Sequence, residues 1–444
     1  MWLLRRLSSR GGIMKRLIFV AILCPLAVAA FLPAASVQGD DRGRTSKNVT
    51  FCKDVAPILQ QHCTRCHHDG GIAPMPLETY KDVRPWAAAI REAILEHKMP
   101  PFHASGPQGY FIGDPRLSPE EVATISKWVD ANGPMGRASD MPAPRVWKDD
   151  WTAGKPNIEL SMPSPFLVKP ERKDDYAFFV LSHVFAEDTW IRGVEVKPGN
   201  VQAVHHVNVY MLPASEANLP AGRVDDVFDP VKLGATFYVA WEPGCSPLIY
   251  PAGVAALIPK GSRLAMQVHY APTAVPLTDQ TLLGVHLADG VIEKQARTLY
   301  GGTKTLDIPP GAADHQVVEQ RKVPEDAIIT GFTCHLHLRG KSFQLRLHYP
   351  DNRVETAFEV PRFDPNWQEV YQLARPIKVP KGTVAEYVAT WDNTSKNRLN
   401  PDPNKLVHWG DRVEDEMMDG YLYYLSEGEK LELQVKGGIA SNKK

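Results

Sequence analysis

From about residue 157 onward, the chain alternates short runs of β-branched or aromatic residues with turns rich in proline, glycine and aspartate. Proline interrupts helix interiors and central strands, and the chain carries 38 prolines, so many short strands are favoured over a helical bundle. This pattern is typical of antiparallel β-sandwiches with jelly-roll-like domains. The predicted strands are Tyr176–Val184, Val204–Leu212, Arg263–Tyr270, Ala327–Leu338, Phe343–Tyr349 and Val384–Asp392.

The length of 444 residues predicts about three domains at roughly 150 residues each. We expect two β-sandwiches, over 157–292 and 293–436, because the β pattern is too long for one small sandwich of about 100 residues. The 50 Lys and Arg nearly balance the 51 Asp and Glu, so no global field favours nucleic acid or an anionic membrane. Six cysteines are too few for a disulfide-dense scaffold.

The amino terminus has the pattern of a secretory signal. Met14-Lys15-Arg16 precedes an apolar run from Leu17 to Leu32, and small residues follow up to Gly39. A charged region, an apolar region and a small-residue exit predict a signal peptide over 1–39. The alternative is an uncleaved anchor. The mature protein is therefore expected to be exported, periplasmic or extracellular, with no stable membrane span.

Cys63-Thr64-Arg65-Cys66-His67 has the spacing of a c-type haem attachment site. Two thioether bonds would hold the porphyrin covalently while the His67 imidazole binds iron. A zinc knuckle would need a second pair of ligands at zinc spacing, and a redox dithiol has no use for His67. The motif predicts one haem c.

Helical signals flank this motif and predict a small all-α cytochrome c-like domain over 48–138. The segment 54–62 has apolar residues at helical spacing, and 118–121 reads as a capping box that opens another helix. Met99, in a proline-stiffened loop, is the expected sixth iron ligand. Met75 and His97 are the alternatives. A proline-rich linker follows over 139–156.

Histidines on predicted strands form three further motifs, His205-His206, His269 and His335-Leu336-His337. Side chains at i and i+2 of a strand share a face, so His335 and His337 form a two-nitrogen clamp. A regular strand places His205 and His206 on opposite faces, so they can share one metal only if the strand bulges or ends there. Any one of these residues alone is more often a hydrogen-bonded histidine, but the grouping of five favours a metal.

Imidazole suits zinc, copper and iron alike, and a thioether shifts the preference to copper. Met417 and Met418, near the end of the chain, are the candidate soft ligands.

The order of these motifs resembles a known family. A His-His pair, a single His on a strand, a His-x-His and a Glu-Met near the end occur in that order in the copper type II, ascorbate-dependent monooxygenases. These are the peptide-amidating and dopamine-hydroxylating enzymes, built as two antiparallel β-sandwiches. With a haem motif in front, the chain is similar to a bacterial subgroup in which cytochrome c is fused to such an enzyme.

The resemblance implies two copper ions. It assigns an all-histidine electron-transfer copper to the first sandwich and an oxygen-binding copper to the second. Tyr421 agrees with a tyrosine that contacts substrate in the family. The ligands so implied are His205, His206 and His269 for the first copper, and His335, His337 and Met417 for the second.

Two positions depart from the amidating enzymes. Thr333 stands where they carry an arginine that binds the substrate carboxylate, and Asp419 stands where they carry asparagine. Peptide-glycine substrates are therefore not expected. The disulfides of the animal enzymes are also not expected, since Cys245 and Cys334 are the only cysteines in this region.

The sequence thus predicts an exported haem- and copper-containing monooxygenase. It would hydroxylate a C–H bond of a small organic substrate with O2, with electrons entering through the haem from an ascorbate-like reductant or a redox protein. The alternatives are an electron-transfer or copper-binding protein without hydroxylase activity, and a haem protein whose β-domains only bind a partner.

Overall fold

Antiparallel β-sheets make up most of the molecule, and helices are few. This confirms the predicted β-sandwich character. The computed structural model describes residues 49–147, 151–170, 175–216, 218–224, 232–271, 273–410 and 412–441. The predicted signal peptide 1–39 lies outside these ranges. Within them, no helix is long and apolar enough to cross a membrane.

Short helices occupy the part of the described chain before the β-sheets. A π-helical turn over Phe51–Val55 leads into the first of them. The last helix begins with the predicted capping box, in which the Ser118 hydroxyl accepts the N–H of Glu121 at 3.2 Å and the Glu121 carboxylate accepts the N–H of Ser118 at 2.7 Å. The α-helices are α1 Ala56–His62, α2 Tyr80–Val83, α3 Ala87–Leu95 and α4 Pro119–Asp130.

The loop between α3 and α4 packs on the C-terminal β-strands. Phe102 and Phe111 contact Tyr371 edge-on, with ring centroids 5.3 and 5.6 Å apart. The backbone N–H of Ser105 donates to the carbonyl of Glu359 at 2.8 Å. The helical part therefore contributes side chains to a β-core instead of packing only on itself.

The first β-region has two sheets. One is five-stranded, in the order β6-β3-β10-β5-β7, and the other is nine-stranded, with β4 between β12 and the last strand of the described chain, β26. The two sheets enclose a core that includes the fully buried residues Val207, Leu264 and Leu283. The strands are β1 Ile158–Ser161, β2 Phe166–Val168, β3 Asp175–Val184, β4 Thr189–Lys197, β5 Val204–Leu212, β6 Gly222–Val224, β7 Thr236–Trp241, β8 Leu248–Ile249, β9 Val254–Ile258, β10 Arg263–Tyr270, β11 Leu277–Asp279, β12 Leu282–Leu287, β13 Gly290–Ile292 and β14 Lys294–Gln295.

The second β-region contains two four-stranded sheets, ordered β15-β24-β18-β21 and β17-β22-β19-β20. They share a core with fully buried Phe332, Phe343 and Trp391. The strands from here to the end of the described chain are β15 Arg297–Gly302, β16 Asp307–Ile308, β17 His315–Lys322, β18 Ala327–His335, β19 Gly340–His348, β20 Val354–Val360, β21 Tyr371–Val379, β22 Val384–Trp391, β23 Val407–His408, β24 Asp419–Ser426, β25 Leu433–Lys436 and β26 Ile439–Ala440.

The last two strands return to the first β-region. In the nine-stranded sheet, β25 pairs with β13, where Val435 faces Gly290, and β26 pairs with β4, where Ile439 faces Thr189. Strands β25 and β26 are therefore part of the nine-stranded sheet of the first β-region, although the sequence pattern places residues up to 436 in the second sandwich.

Aromatic side chains join the two β-regions. Tyr210 and Phe237 of the first region cluster with Tyr423 of the second, and Tyr421 packs against this cluster. The candidate site lies along this junction.

Candidate metal centre

His205, His206 and His269 converge in the five-stranded sheet. Their ligand nitrogens all lie within 4.8 Å of one another. The Nδ1 atoms of His205 and His206 lie 3.1 and 3.3 Å from Nδ1 of His269. The structure therefore brings together the three residues that the sequence grouped as one metal site.

A β-bulge places the adjacent residues His205 and His206 at one point. In the pairing of β5 with β10, His206 faces His269 and Val204 faces Tyr270, so His205 is the extra residue. A bulge turns the extra side chain towards the face of its neighbour. The strand therefore has the bulge that His205 and His206 need in order to share one metal.

Two of the three spacings between these nitrogens fit a bound metal ion. Two nitrogens at metal bonds of about 2.0–2.1 Å and a tetrahedral angle lie about 3.3 Å apart, close to the observed 3.1 and 3.3 Å. Burial lowers the pKa of His206 well below its ordinary value, and the neighbouring histidines add to this. The imidazole is therefore neutral at physiological pH, as a ligand must be.

His335 and His337 form the second candidate pair, with perpendicular rings whose centroids are 5.0 Å apart. Nδ1 of His335 donates to the side-chain oxygen of Gln368, and Nδ1 of His337 lies 3.2 Å from the carbonyl of Asp415. Metal-binding histidines commonly donate their other ring nitrogen in this way, which fixes the tautomer. Both Nε2 atoms thereby keep a lone pair for a metal.

The predicted strand through this motif is too long. Strand β18 ends at His335, so His337 lies in the following turn and not on the strand to Leu338. Leu336, fully buried between the two histidines, anchors that turn in the core. Burial lowers the pKa of His337 to about 3, so this imidazole is also neutral.

Glu416 fastens this turn to the segment that carries Met417. Its fully buried carboxylate accepts the backbone N–H of His337 at 2.9 Å, the backbone N–H of Arg339 at 2.6 Å and the indole N–H of Trp391 at 3.0 Å. Burial raises the pKa of Glu416 to about 7. Sequence reasoning noted the Glu-Met pair but not this role.

A cavity of about 270 Å³ lies between the two β-regions and adjoins His335 of the second pair, whereas His337 is not among its described lining residues. His335 and Met417 both line it, whereas Met418 is fully buried in the core. Of the two methionine candidates, Met417 therefore shares the cavity with His335. Tyr421 also lines the cavity and stacks on Phe237 at 4.5 Å between ring centroids.

The charge of this cavity comes from one acidic residue. Among the lining residues that the structure describes, Asp419 is the single carboxylate, and there is no lysine or arginine. The hydroxyl of Tyr300 donates to Asp419 at 2.7 Å. Thr333, at the position of the family's arginine, is buried and lines the same wall.

A larger cavity, of about 530 Å³, contains the predicted haem motif. Cys63, Cys66 and His67 line it together with Met75 and Met99. Nδ1 of His67 lies 3.0 Å from the carbonyl of Met75, an orientation that leaves Nε2 for iron. Both methionine candidates for the sixth ligand thus face this cavity, whereas His97 is not among its lining residues.

The two thiols of the motif are unpaired. Burial raises the pKa of Cys63 to about 12 and also raises that of Cys66. Cys245 and Cys334 are also unpaired.

The far wall of the larger cavity comes from the β-regions. His205 belongs to this wall, so the three-histidine group borders the cavity directly. The wall also includes Glu242, Cys245, Trp367 and Glu369. Sequence reasoning did not find these wall residues, because they are isolated polar or aromatic residues in loops without a motif.

Comparisons with known proteins agree with this geometry. Residues 306–437 match the copper type II ascorbate-dependent monooxygenase C-terminal domain. The chain is also similar to dopamine beta-hydroxylase of Bos taurus, at 26% identity over 52% of this chain and 40% of the relative, and of Homo sapiens, at 25% over 52% and 39%. It spans about two fifths of the length of these relatives. These similarities support a copper-dependent monooxygenase, an oxidoreductase.

Similarity to solved structures is weak. The major capsid protein P2 from bacteriophage PM2 aligns over 61% of this chain and 97% of its own, at 8% identity and a TM-score of 0.23. A score this low supports no conclusion.

Proposed function

We propose that the protein is an exported copper monooxygenase that hydroxylates a C–H bond of a small organic substrate with O2. The observation that carries the proposal is the shared cavity of His335 and Met417, inside the region that matches the copper monooxygenase domain. An imidazole pair plus a thioether suits Cu(I), the state that reacts with O2. The all-histidine group suits a second copper that stores an electron.

The candidate ligands of both copper ions are side chains of this chain. His335, His337 and Met417 would hold one copper, and the three histidines of the bulged strand would hold the other. Bound copper supplies the one-electron chemistry that O2 activation requires. Burial keeps His206 and His337 neutral, so their lone pairs remain available at physiological pH.

The smaller cavity favours a neutral or cationic substrate. Without lysine or arginine among its described lining residues, it offers no partner for a substrate carboxylate, whereas Asp419 attracts an amine. Tyr421 and Phe237 provide aromatic surface for an apolar group. Dopamine, which the relatives' name gives as their substrate, is such an amine.

Haem c in the larger cavity is the proposed electron entrance. Cys63 and Cys66 would hold it covalently, with His67 and either Met99 or Met75 at the iron. His205 lies on the wall of the same cavity, which gives a short route from haem to the three-histidine site. An ascorbate-like reductant or a redox protein would deliver the electrons outside the cytoplasm.

The test uses the full chain, produced in a bacterial host that attaches c-type haem. We expect two coppers and one haem per chain and amine-dependent O2 uptake. Met417→Ala should abolish the uptake, whereas the neighbouring core variant Met418→Leu should retain it. Copper binding without O2 uptake for any amine would leave the electron-transfer alternative in place.

The haem role has its own test. Replacing Cys63 and Cys66 together by alanine should stop uptake driven by a redox protein. Equal rates before and after that change, in copper-loaded protein, would show that the haem is not the donor.

A further inference from the structure

A buried amide lies directly behind His335. Gln368, in the loop between β20 and β21, is 4% exposed, and its side-chain oxygen accepts the Nδ1–H of His335. Its own amide nitrogen donates to the carbonyl of Pro365 at 2.7 Å, which orients the amide with the oxygen towards the histidine. Gln368 thus contacts the ring nitrogen opposite the proposed metal-binding nitrogen.

A buried carboxyl group of the other β-region holds the backbone of Gln368 in place. Glu242, directly after β7, is 1% exposed, and its Oε1 accepts the backbone N–H of Gln368. Its Oε2 is buried and has no hydrogen-bond partner among the described residues. Burial raises the pKa of Glu242 well above its ordinary value, and a protonated carboxyl keeps a carbonyl oxygen that accepts this N–H.

The burial of Glu242 is costly, because a carboxyl group removed from water with one satisfied oxygen destabilises the fold. Its described hydrogen bond goes to the residue that contacts His335. Trp367 and Glu369, which flank Gln368 in the chain, line the larger cavity together with Glu242. The contact therefore lies between the proposed haem cavity and the proposed oxygen site.

We propose that Gln368 is a positioning residue for His335 and that Glu242 anchors it, so that a side chain of the first β-region sets the metal geometry of the second. This inference rests on the proposed function, in which His335 binds copper. An acceptor on the other ring nitrogen fixes both the tautomer and the rotation of a metal-binding imidazole. An amide does so without adding a charge beside the proposed metal site.

The experiment measures copper at the second site alone. In a His206→Ala background of the full chain, Cu(I) affinity is determined by competition with a chelator, and the Cu(II) site by EPR. Gln368→Leu should weaken Cu(I) binding about 10- to 100-fold and change the copper hyperfine coupling. Gln368→Glu, which keeps an oxygen at Nδ1, should restore most of the affinity.

Glu242 provides the decisive comparison, because it does not touch a ligand. Glu242→Leu should shift affinity and EPR in the same direction as Gln368→Leu, and the double variant should be no weaker than Gln368→Leu alone. Glu242→Gln keeps the carbonyl acceptor and should behave as the parent. Gln368→Asn, which withdraws the acceptor but keeps a buried amide, serves if the leucine variants do not fold.

Three results would overturn the inference. The first is parental affinity and EPR in Gln368→Leu or Gln368→Asn, and the second is full additivity of the two leucine changes. The third is an equal loss at the three-histidine site, measured in a His337→Ala background, because that would be general destabilisation. If the His206→Ala parent binds no copper, the proposed function fails as well.

Discussion

Glu416 should be the most sensitive position for the geometry of the second site. Its carboxylate satisfies three buried donors, from His337, Arg339 and Trp391. Each buried donor left without a partner costs about 1–3 kcal/mol. Glu416→Gln turns one oxygen into a donor and should cost about 2 kcal/mol, whereas Glu416→Leu loses all three acceptor contacts and should cost about 4 kcal/mol or more.

Hydrogen exchange of the copper-free protein measures this locally, in the segment 330–340. Exchange there should accelerate about tenfold for every 1.4 kcal/mol. Glu414→Gln, which changes an exposed carboxylate two residues away, is the matched control and should exchange as the parent does. Protection in Glu416→Leu within a factor of about three of the parent would refute the reasoning, since it would place the loss below about 1 kcal/mol.

Gly244 has φ +85°, and a Cβ there would lie 2.8 Å from Cys66 Sγ, so Gly244→Ala should lower the haem content, as measured by the pyridine haemochrome spectrum. Ser118→Ala removes the hydroxyl that accepts the Glu121 N–H and should destabilise α4 by about 1 kcal/mol, seen as a lower urea midpoint. Burial raises the pKa of Glu369 to about 7, so the stability that its neutral form provides is full below about pH 4.3 and is lost as pH rises to 7. Glu369→Gln should therefore flatten the fall in urea midpoint between pH 5 and pH 8, and an unchanged fall would exclude this carboxyl as its source.

The sequence predicts strands well where a largely apolar run forms a strand that is paired on both sides. Val204–Leu212 and Arg263–Tyr270 have the predicted bounds, because both are central strands of one sheet. The predicted strand through His337 overran, because Leu336 continues the apolar pattern into a turn that side-chain periodicity does not mark.

The grouping of the candidate metal ligands was predictable in part. His205 and His206 are adjacent in the sequence. Strand geometry shows only that they need a bulge or a strand end in order to share one metal. Whether they can do so depends on a bulge opposite His269. That bulge arises from the pairing of two strands that are far apart in the chain. Gln368 and Glu242 were not predictable, because their role arises only where two loops meet.

The return of the last strands to the first sheet has a consequence for biosynthesis. Translation delivers the amino-terminal residues first, but the pairing partner of β13 is β25, near the end of the chain. Until then β13 lacks its described strand partner, and unpaired strands promote association between chains. A single proteolytic cut near residue 293 should consequently leave both fragments held together by the β13–β25 pairing, and a gene truncated at that point should yield an aggregating product.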